Sequence, residues 1–228
     1  MSISISAFVG ELHRTFASHA DAKRARAMSA YMRDQFPFFG IGAPTRQVIQ
    51  REISQRLGLP SDVLGLANDL WQRDEREMQY AACAILTQPR VQRALSANDI
   101  SSVVDLITSK SWWDTVDVLA PNVIGSILRS LPDLLVERAS AWIESDNIWL
   151  QRTAIIMQLR YRSATNVDVL FDCILRRAAS TEFFVRKGAG WALRQYAYTA
   201  PDVVRAFVEE HRKRLSGLTV REALKRLP

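Results

Sequence analysis

Apolar residues recur at three- and four-residue steps along most of the chain. In EREMQYAACAILTQ, Met78, Ala81, Ala82, Ile85 and Leu86 fall on one face of a helix, and this spacing predicts an amphipathic helix there. Alternating apolar and polar runs rich in β-branched residues are scarce, and no Asn-Gly or Asp-Gly pair offers a hairpin turn. Pro60, Pro89, Pro121, Pro132 and Pro201 break the periodic segments. Several stand beside an Asp or Ser suited to capping a helix start, as in LPSDVLGLANDLW, LPDLLVERASAWI and APDVVRAFVEEH. The pattern predicts an all-α fold.

The helical segments also repeat. Aligning Glu77, Trp112, Trp149 and Phe184 sets MQYAACAI, WDTVDVLA, LQRTAIIM and VRKGAGWA beneath one another, at steps of 35, 37 and 35 residues. A period in that range marks stacked helical pairs, which coil into a superhelix with a concave binding face. The fifth position after each anchor is Ala82, Asp117, Ala154 and Ala189. One repeat thus carries an acid where its sisters carry alanine. That acid lies in KSWWDTVD, residues 110–117, where Trp113 and Asp117 are four apart and project from one helix face. Two readings stay open for Asp117: a functional carboxylate, or a buried ion pair with a neighbouring arginine.

Other candidates carry similar pairs of readings. Asp114 fits an exposed or capping acid, and Trp112 fits the core because it shares a frame with Trp149 and Phe184. Ser145, Asp146 and Asn147 are candidate caps for the helix that follows. Arg152 sits in that otherwise apolar helix and needs a partner, either Asp117 or an external phosphate. Gly188, Ala189 and Gly190 precede Trp191 and allow close approach of a ligand or tight packing of a helix.

Composition narrows the functions. The 228 residues suit one large domain or a repeat array, and a single domain over residues 1–228 is expected. No apolar run approaches the roughly 20 residues of a membrane span. The N-terminal MSISISAFVGELHRTF lacks the features of a secretory leader. Cys83 and Cys173 are far apart, and His13, His19 and His211 are scattered, so neither a disulfide framework nor a metal site is expected. A reducing cytoplasm fits. Net charge is +6, with clusters at Lys23, Arg24 and Arg26; Arg160 and Arg162; Arg176, Arg177, Arg186 and Lys187; and Arg212, Lys213 and Arg214. Such a surface favours polyanions, nucleic acid first.

KSWWDTVD, SDNIWLQRTAI with QLRYR, EFFVRKGAGWALRQYA followed by PDVV, and REALK near the end resemble, in order, the AlkD family of bacterial DNA alkylpurine glycosylases. The segment ARAMSAYMRDQFPFFGIGAPTRQ resembles that family's opening, and the likeness covers nearly the whole chain. The resemblance implies a right-handed superhelical solenoid of HEAT-like repeats holding double-stranded DNA on a basic concave face. It implies excision of cationic N3- and N7-alkylated purines, without cofactor or metal, by a cytoplasmic monomer with no obligate protein partner. By position, the family's catalytic aspartate falls on Asp117 and its aromatic walls on Trp113 and Trp191. Its DNA contacts fall on Arg152 and on Tyr31, with Arg160 standing where the family often has lysine. Lys187 joins them as a DNA-binding candidate on charge and placement. The turn FFGIGAPTRQ departs from the family's commoner form, which ends in two arginines.

The residue types suit that chemistry. An alkylated purine leaves as a neutral base, so no strong general acid is needed, and positive charge builds on the sugar, where a carboxylate stabilises it. Indole faces add cation–π attraction of about 0.5 to 2 kcal/mol each. No lysine here is assigned a lyase role, so a monofunctional enzyme is expected. Two alternatives remain: a non-catalytic HEAT-like protein that binds altered or branched DNA, and a protein–protein scaffold.

Overall fold

A computed structural model of the chain describes residues 3–225, so the N-terminal stretch begins outside the described residues. The helical expectation holds, for no strand occurs among the described residues. The chain divides into two compact units, Met1–Ala94 and Leu95–Pro228, and each is taken by itself.

The first unit comprises α1 (Ile5–Ser18), α2 (Ala22–Tyr31), α3 (Ala43–Leu57), α4 (Val63–Gln72), α5 (Arg76–Leu86) and α6 (Pro89–Ala94). Phe8, Val9, Leu12 and Phe16 lie on one stripe of α1 and are wholly buried where α1 meets α3 and α4. Asp21 caps α2, accepting hydrogen bonds from the Lys23 and Arg24 amides at 3.0 and 2.9 Å. By contrast α2 itself buries no residue.

Between α2 and α3 runs the FFGI turn, and its anchor is the first repeat's Glu77. That side chain is wholly buried. Its carboxylate accepts from the amides of Phe39, Gly40 and Ile41 at 3.0, 2.8 and 3.0 Å. Three charge-assisted hydrogen bonds offset the cost of burying the charge. Gly40 is required: its φ is +91°, and a Cβ there would lie 2.2 Å from the Asp21 carbonyl oxygen.

The second unit comprises α7 (Ile100–Thr108), α8 (Trp113–Leu119), α9 (Gly125–Leu128), α10 (Pro132–Ile143), α11 (Ile148–Ile156), α12 (Val167–Arg176), α13 (Phe183–Ala197), α14 (Pro201–Glu210) and α15 (Gly217–Leu224). It is a stack of helical pairs. The helices α8, α11, α13 and α15 pack one on the next, while α10 packs on both α11 and α12. The period read from the sequence is therefore physical. Trp112, Trp149 and Phe184, one per repeat, form a single aromatic cluster with ring centroids 5.0 to 5.8 Å apart.

Punctuation follows the expectation except at Pro121 and at two expected caps. Pro89, Pro132 and Pro201 each open a helix, where their missing N–H costs nothing. Asp133 and Asp202 serve in the first turn rather than as caps, favourable to the helix dipole. Pro121 does not end a helix. The chain stays helical from α8 to α9 through a π turn, Ala120–Ile124, with Pro121 near its start. Just beyond, Gly125 lies so close to α11 that a Cβ would stand 2.1 Å from the Met157 carbonyl oxygen. The Tyr161 hydroxyl donates to the Gly125 carbonyl at 2.6 Å.

Candidate functional site

The chain enters α8 from extended backbone at Trp112. Trp113 is the first helical residue, and Asp114 sits in the first turn, accepting from the Thr115 amide at 3.0 Å. Asp117 follows one turn after Trp113, just before the π turn. The next repeat starts at Asn147, whose Oδ1 accepts from the Trp149 amide at 2.9 Å and so caps α11. That start places Arg152 on the second turn, facing α8.

Arg152 is 3% exposed. Its Nε donates to Asp117 Oδ1 at 2.7 Å and its Nη2 to Oδ2 at 2.8 Å, a bidentate fork. Its Nη1 donates to the Phe184 carbonyl at the start of α13. One guanidinium thus ties three successive repeats, and the partner left open by the sequence is Asp117. The small residues of α13 serve this packing. A Cβ at Gly188 would stand 3.0 Å from Arg152 Nη1, and one at Gly190 would stand 2.5 Å from Glu222 Cβ. Ala189, at the alanine position of the repeat, is buried.

Burial lifts the Asp117 carboxyl above its ordinary value of 3.8, against the pull of Arg152 and with a further push from Asp114. Arg152 cannot give up its proton, and a protonated Asp117 would leave it as a buried cation without a countercharge. The bidentate fork from Arg152 thus favours the ionised form, opposing the effect of burial.

Asp117 opens onto a solvent-open cleft lined by Asp117, Pro121, Asn122, Leu159, Arg160, Trp191 and Gln195. The cleft brings together three of the expected residues: Asp117, Trp191 and the exposed Arg160. Trp191 also stands near the Arg152 guanidinium, 5.9 Å from ring centroid to Cζ. Trp113 shares a helix face with Asp117 but is not among the cleft's lining residues. Tyr31 closes α2 in the first unit and is 72% exposed. Lys187 is held by Glu222, Nζ to Oε1 at 2.7 Å.

Sequence reasoning missed Glu222, Asn122 and Gln195. Glu222 had a signal, since it follows Lys187 by 35 residues, the same separation that joins Asp117 to Arg152. The two amides had none beyond standing one turn from Val118 and Trp191. Among the described residues no group of His, Cys, Asp and Glu is arranged to hold a metal ion. Nor is any described helix long and apolar enough to cross a membrane.

Residues 12–227 match the family model described as DNA alkylation repair enzyme. A solved structure described as a predicted DNA alkylation repair enzyme from Enterococcus faecalis is similar over 91% of this chain and 96% of its own. The two share 31% identity with a TM-score of 0.82. The structure of smu.31 from Streptococcus mutans UA159 matches 99% of this chain and 100% of its own, at 16% identity and TM-score 0.61, a likeness of fold alone. None of the curated proteins matches. With nearly its whole length matched, the chain belongs to the DNA alkylation repair enzyme family.

Proposed function

We propose that the protein is a monofunctional DNA glycosylase that hydrolyses the N-glycosidic bond of cationic N3- or N7-alkylated purines. One observation carries the reading: the Asp117 carboxyl, bound by Arg152, faces an open cleft beside an indole, Trp191, and a cation, Arg160. A cleft of that kind suits a positively charged sugar flanked by phosphates.

The chemistry needs little else. As the C1′–N bond breaks, its electron pair neutralises the charged purine, which leaves without protonation. Asp117 stabilises the cationic sugar and accepts a hydrogen bond from the water that attacks C1′; the water's proton passes to solvent through the carboxylate. Arg152 lowers the size of this effect. With an effective dielectric near 20, a cation about 4 Å from Asp117 gains about 4 kcal/mol, and Arg152 at about 8 Å returns about 2. The remaining ~2 kcal/mol is worth about thirtyfold in rate. Trp191, and Trp113 from the same face as Asp117, add about 0.5 to 2 kcal/mol each through cation–π attraction. Arg160 contributes a phosphate contact, so affinity falls with salt, while Lys187 is taken up by Glu222. Arg152, fully engaged inside the protein, acts first by aiming the carboxylate.

That same engagement favours a second reading. A carboxylate already matched by a buried arginine is also what a purely structural ion pair looks like, and the protein would then bind altered DNA without cutting it. Single-turnover release of 7-methylguanine from a duplex, with wild type and Asp117→Asn side by side, decides. Release by wild type alone, at similar DNA affinity, supports the glycosylase. Tight binding without release by either supports the second reading.

A further inference from the structure

Trp191 stands on α13 between two cations, Lys187 one turn before it and Arg194 three residues after it. A single carboxylate holds both. Lys187 Nζ lies 2.7 Å from Glu222 Oε1, and Arg194 Nη1 lies 2.5 Å from Oε2. Arg194 also donates to the Glu222 carbonyl at 3.3 Å. Glu222 is 9% exposed, and its pKa is held at about 2 by those two partners. Around it α13 and α15 are in close contact. The Thr219 hydroxyl donates to the Arg186 carbonyl at 3.1 Å, and Gly190 has no room for a Cβ against Thr219 and Glu222.

This arrangement works against simple DNA affinity. The side chains of Lys187 and Arg194 are 39% and 21% exposed, so solvent reaches both cations. Each neutralised phosphate would strengthen binding, and an internal carboxylate competes for that role. What the pairing supplies is fixation: the α13 turns on either side of Trp191 are tied to α15 through Glu222, and the Trp191 ring centroid stands 5.9 Å from Arg152 Cζ on α11.

We propose that Glu222 is a positioning residue for excision. By holding Lys187 and Arg194 together it fixes the α13 segment that carries Trp191, at the expense of two phosphate contacts. The inference rests on the glycosylase reading above. It predicts opposite movements of rate and affinity, which loss of folding alone does not produce.

The test compares wild type, Glu222→Gln and Glu209→Gln in single-turnover release of 7-methylguanine and in duplex binding across salt concentrations. Glu209 pairs with Arg212 on the exposed side of α14 and controls for net charge. Glu222→Gln is expected to slow release about tenfold, since small misplacements at a site are costly. It is expected to tighten binding about threefold with a steeper salt dependence. Glu209→Gln is expected to leave the release rate unchanged. A wild-type release rate in Glu222→Gln overturns the proposal, as does a parallel loss of rate, affinity and folded protein. If wild type releases no base, the glycosylase reading and the positioning role fall together. Binding then judges the rest: tighter binding by Glu222→Gln keeps the cation-holding role, and unchanged binding overturns it.

Discussion

Asp117 and Arg152 are separated by 35 residues, one helical repeat, and meet through two hydrogen bonds of 2.7 and 2.8 Å. The pair joins α8 to α11, and the same guanidinium reaches the backbone of α13. The residue read as chemical is therefore also part of what holds consecutive repeats in register.

Removing one partner is expected to cost more than removing both. Arg152→Met leaves the Asp117 carboxylate partly buried without its cation, at a cost of roughly 3 kcal/mol. In the double variant Asp117→Asn with Arg152→Met no charge is stranded, and about half of that loss returns. Urea unfolding of the two single variants and the double measures the coupling.

Excision is expected to fail in acid earlier than an ordinary aspartate would predict. Asp117 must be ionised to act, and burial raises its pKa above 3.8. The acid limb of the single-turnover rate should therefore lie above that value. For stability the sign is reversed: a raised carboxyl favours the protonated fold, so Asp117 adds stability as pH falls through its raised value towards 3.8.

Glu222 should behave in the opposite sense. Its pKa falls from 4.5 to about 2 on folding, through the hydrogen bonds from Lys187 and Arg194. The stability it supplies is present above pH 4.5 and is lost as pH falls through about 2. The difference in thermal midpoint between wild type and Glu222→Gln should shrink across that window.

Glu77→Gln is expected to loosen the FFGI turn. The amide keeps one acceptor oxygen where three backbone amides now share a carboxylate. A loss of about 2 to 3 kcal/mol follows from leaving buried donors unsatisfied. Amide hydrogen exchange at Phe39, Gly40 and Ile41 should accelerate well beyond that of the α1 core.

Gly190→Ala is expected to push α13 from α15. The new methyl would meet the Glu222 Cβ at 2.5 Å and the Thr219 carbonyl oxygen at 2.8 Å, and backbone cannot yield cheaply. A destabilisation of about 2 kcal/mol is in keeping with overpacking. Thermal unfolding would detect it, with Gly217→Ala, where the nearest atom is 3.9 Å away, as the milder comparison.

Much of this molecule was legible in the chain because repetition makes local patterns add up. The anchors Trp112, Trp149 and Phe184 were read from spacing alone and form one cluster. The anomaly at Asp117 was visible because its sisters Ala82, Ala154 and Ala189 are buried alanines. The partner of Arg152 was not, since an arginine in an apolar helix suits a phosphate and a carboxylate equally. Pro121 looked like a break because periodicity carries no sign of a π turn. Glu77 passed as a mere alignment anchor, for nothing near it in sequence announces that its ligands are amides 36 to 38 residues earlier.

The π turn at Ala120–Ile124 has a geometric consequence. Each residue of an α-helix advances the side-chain direction by about 100°. A π turn inserts one extra residue and so offsets everything after it by that angle relative to everything before. Asp117 lies upstream of the offset and Gly125 downstream. The turn works as a phase adjuster: it lets one helical run aim a carboxylate towards Arg152 while presenting a bare backbone to Met157. Deleting a single residue between 120 and 124 would shorten the helix by only about 1.5 Å. It would nonetheless force a choice between the aim of Asp117 and the contact at Gly125.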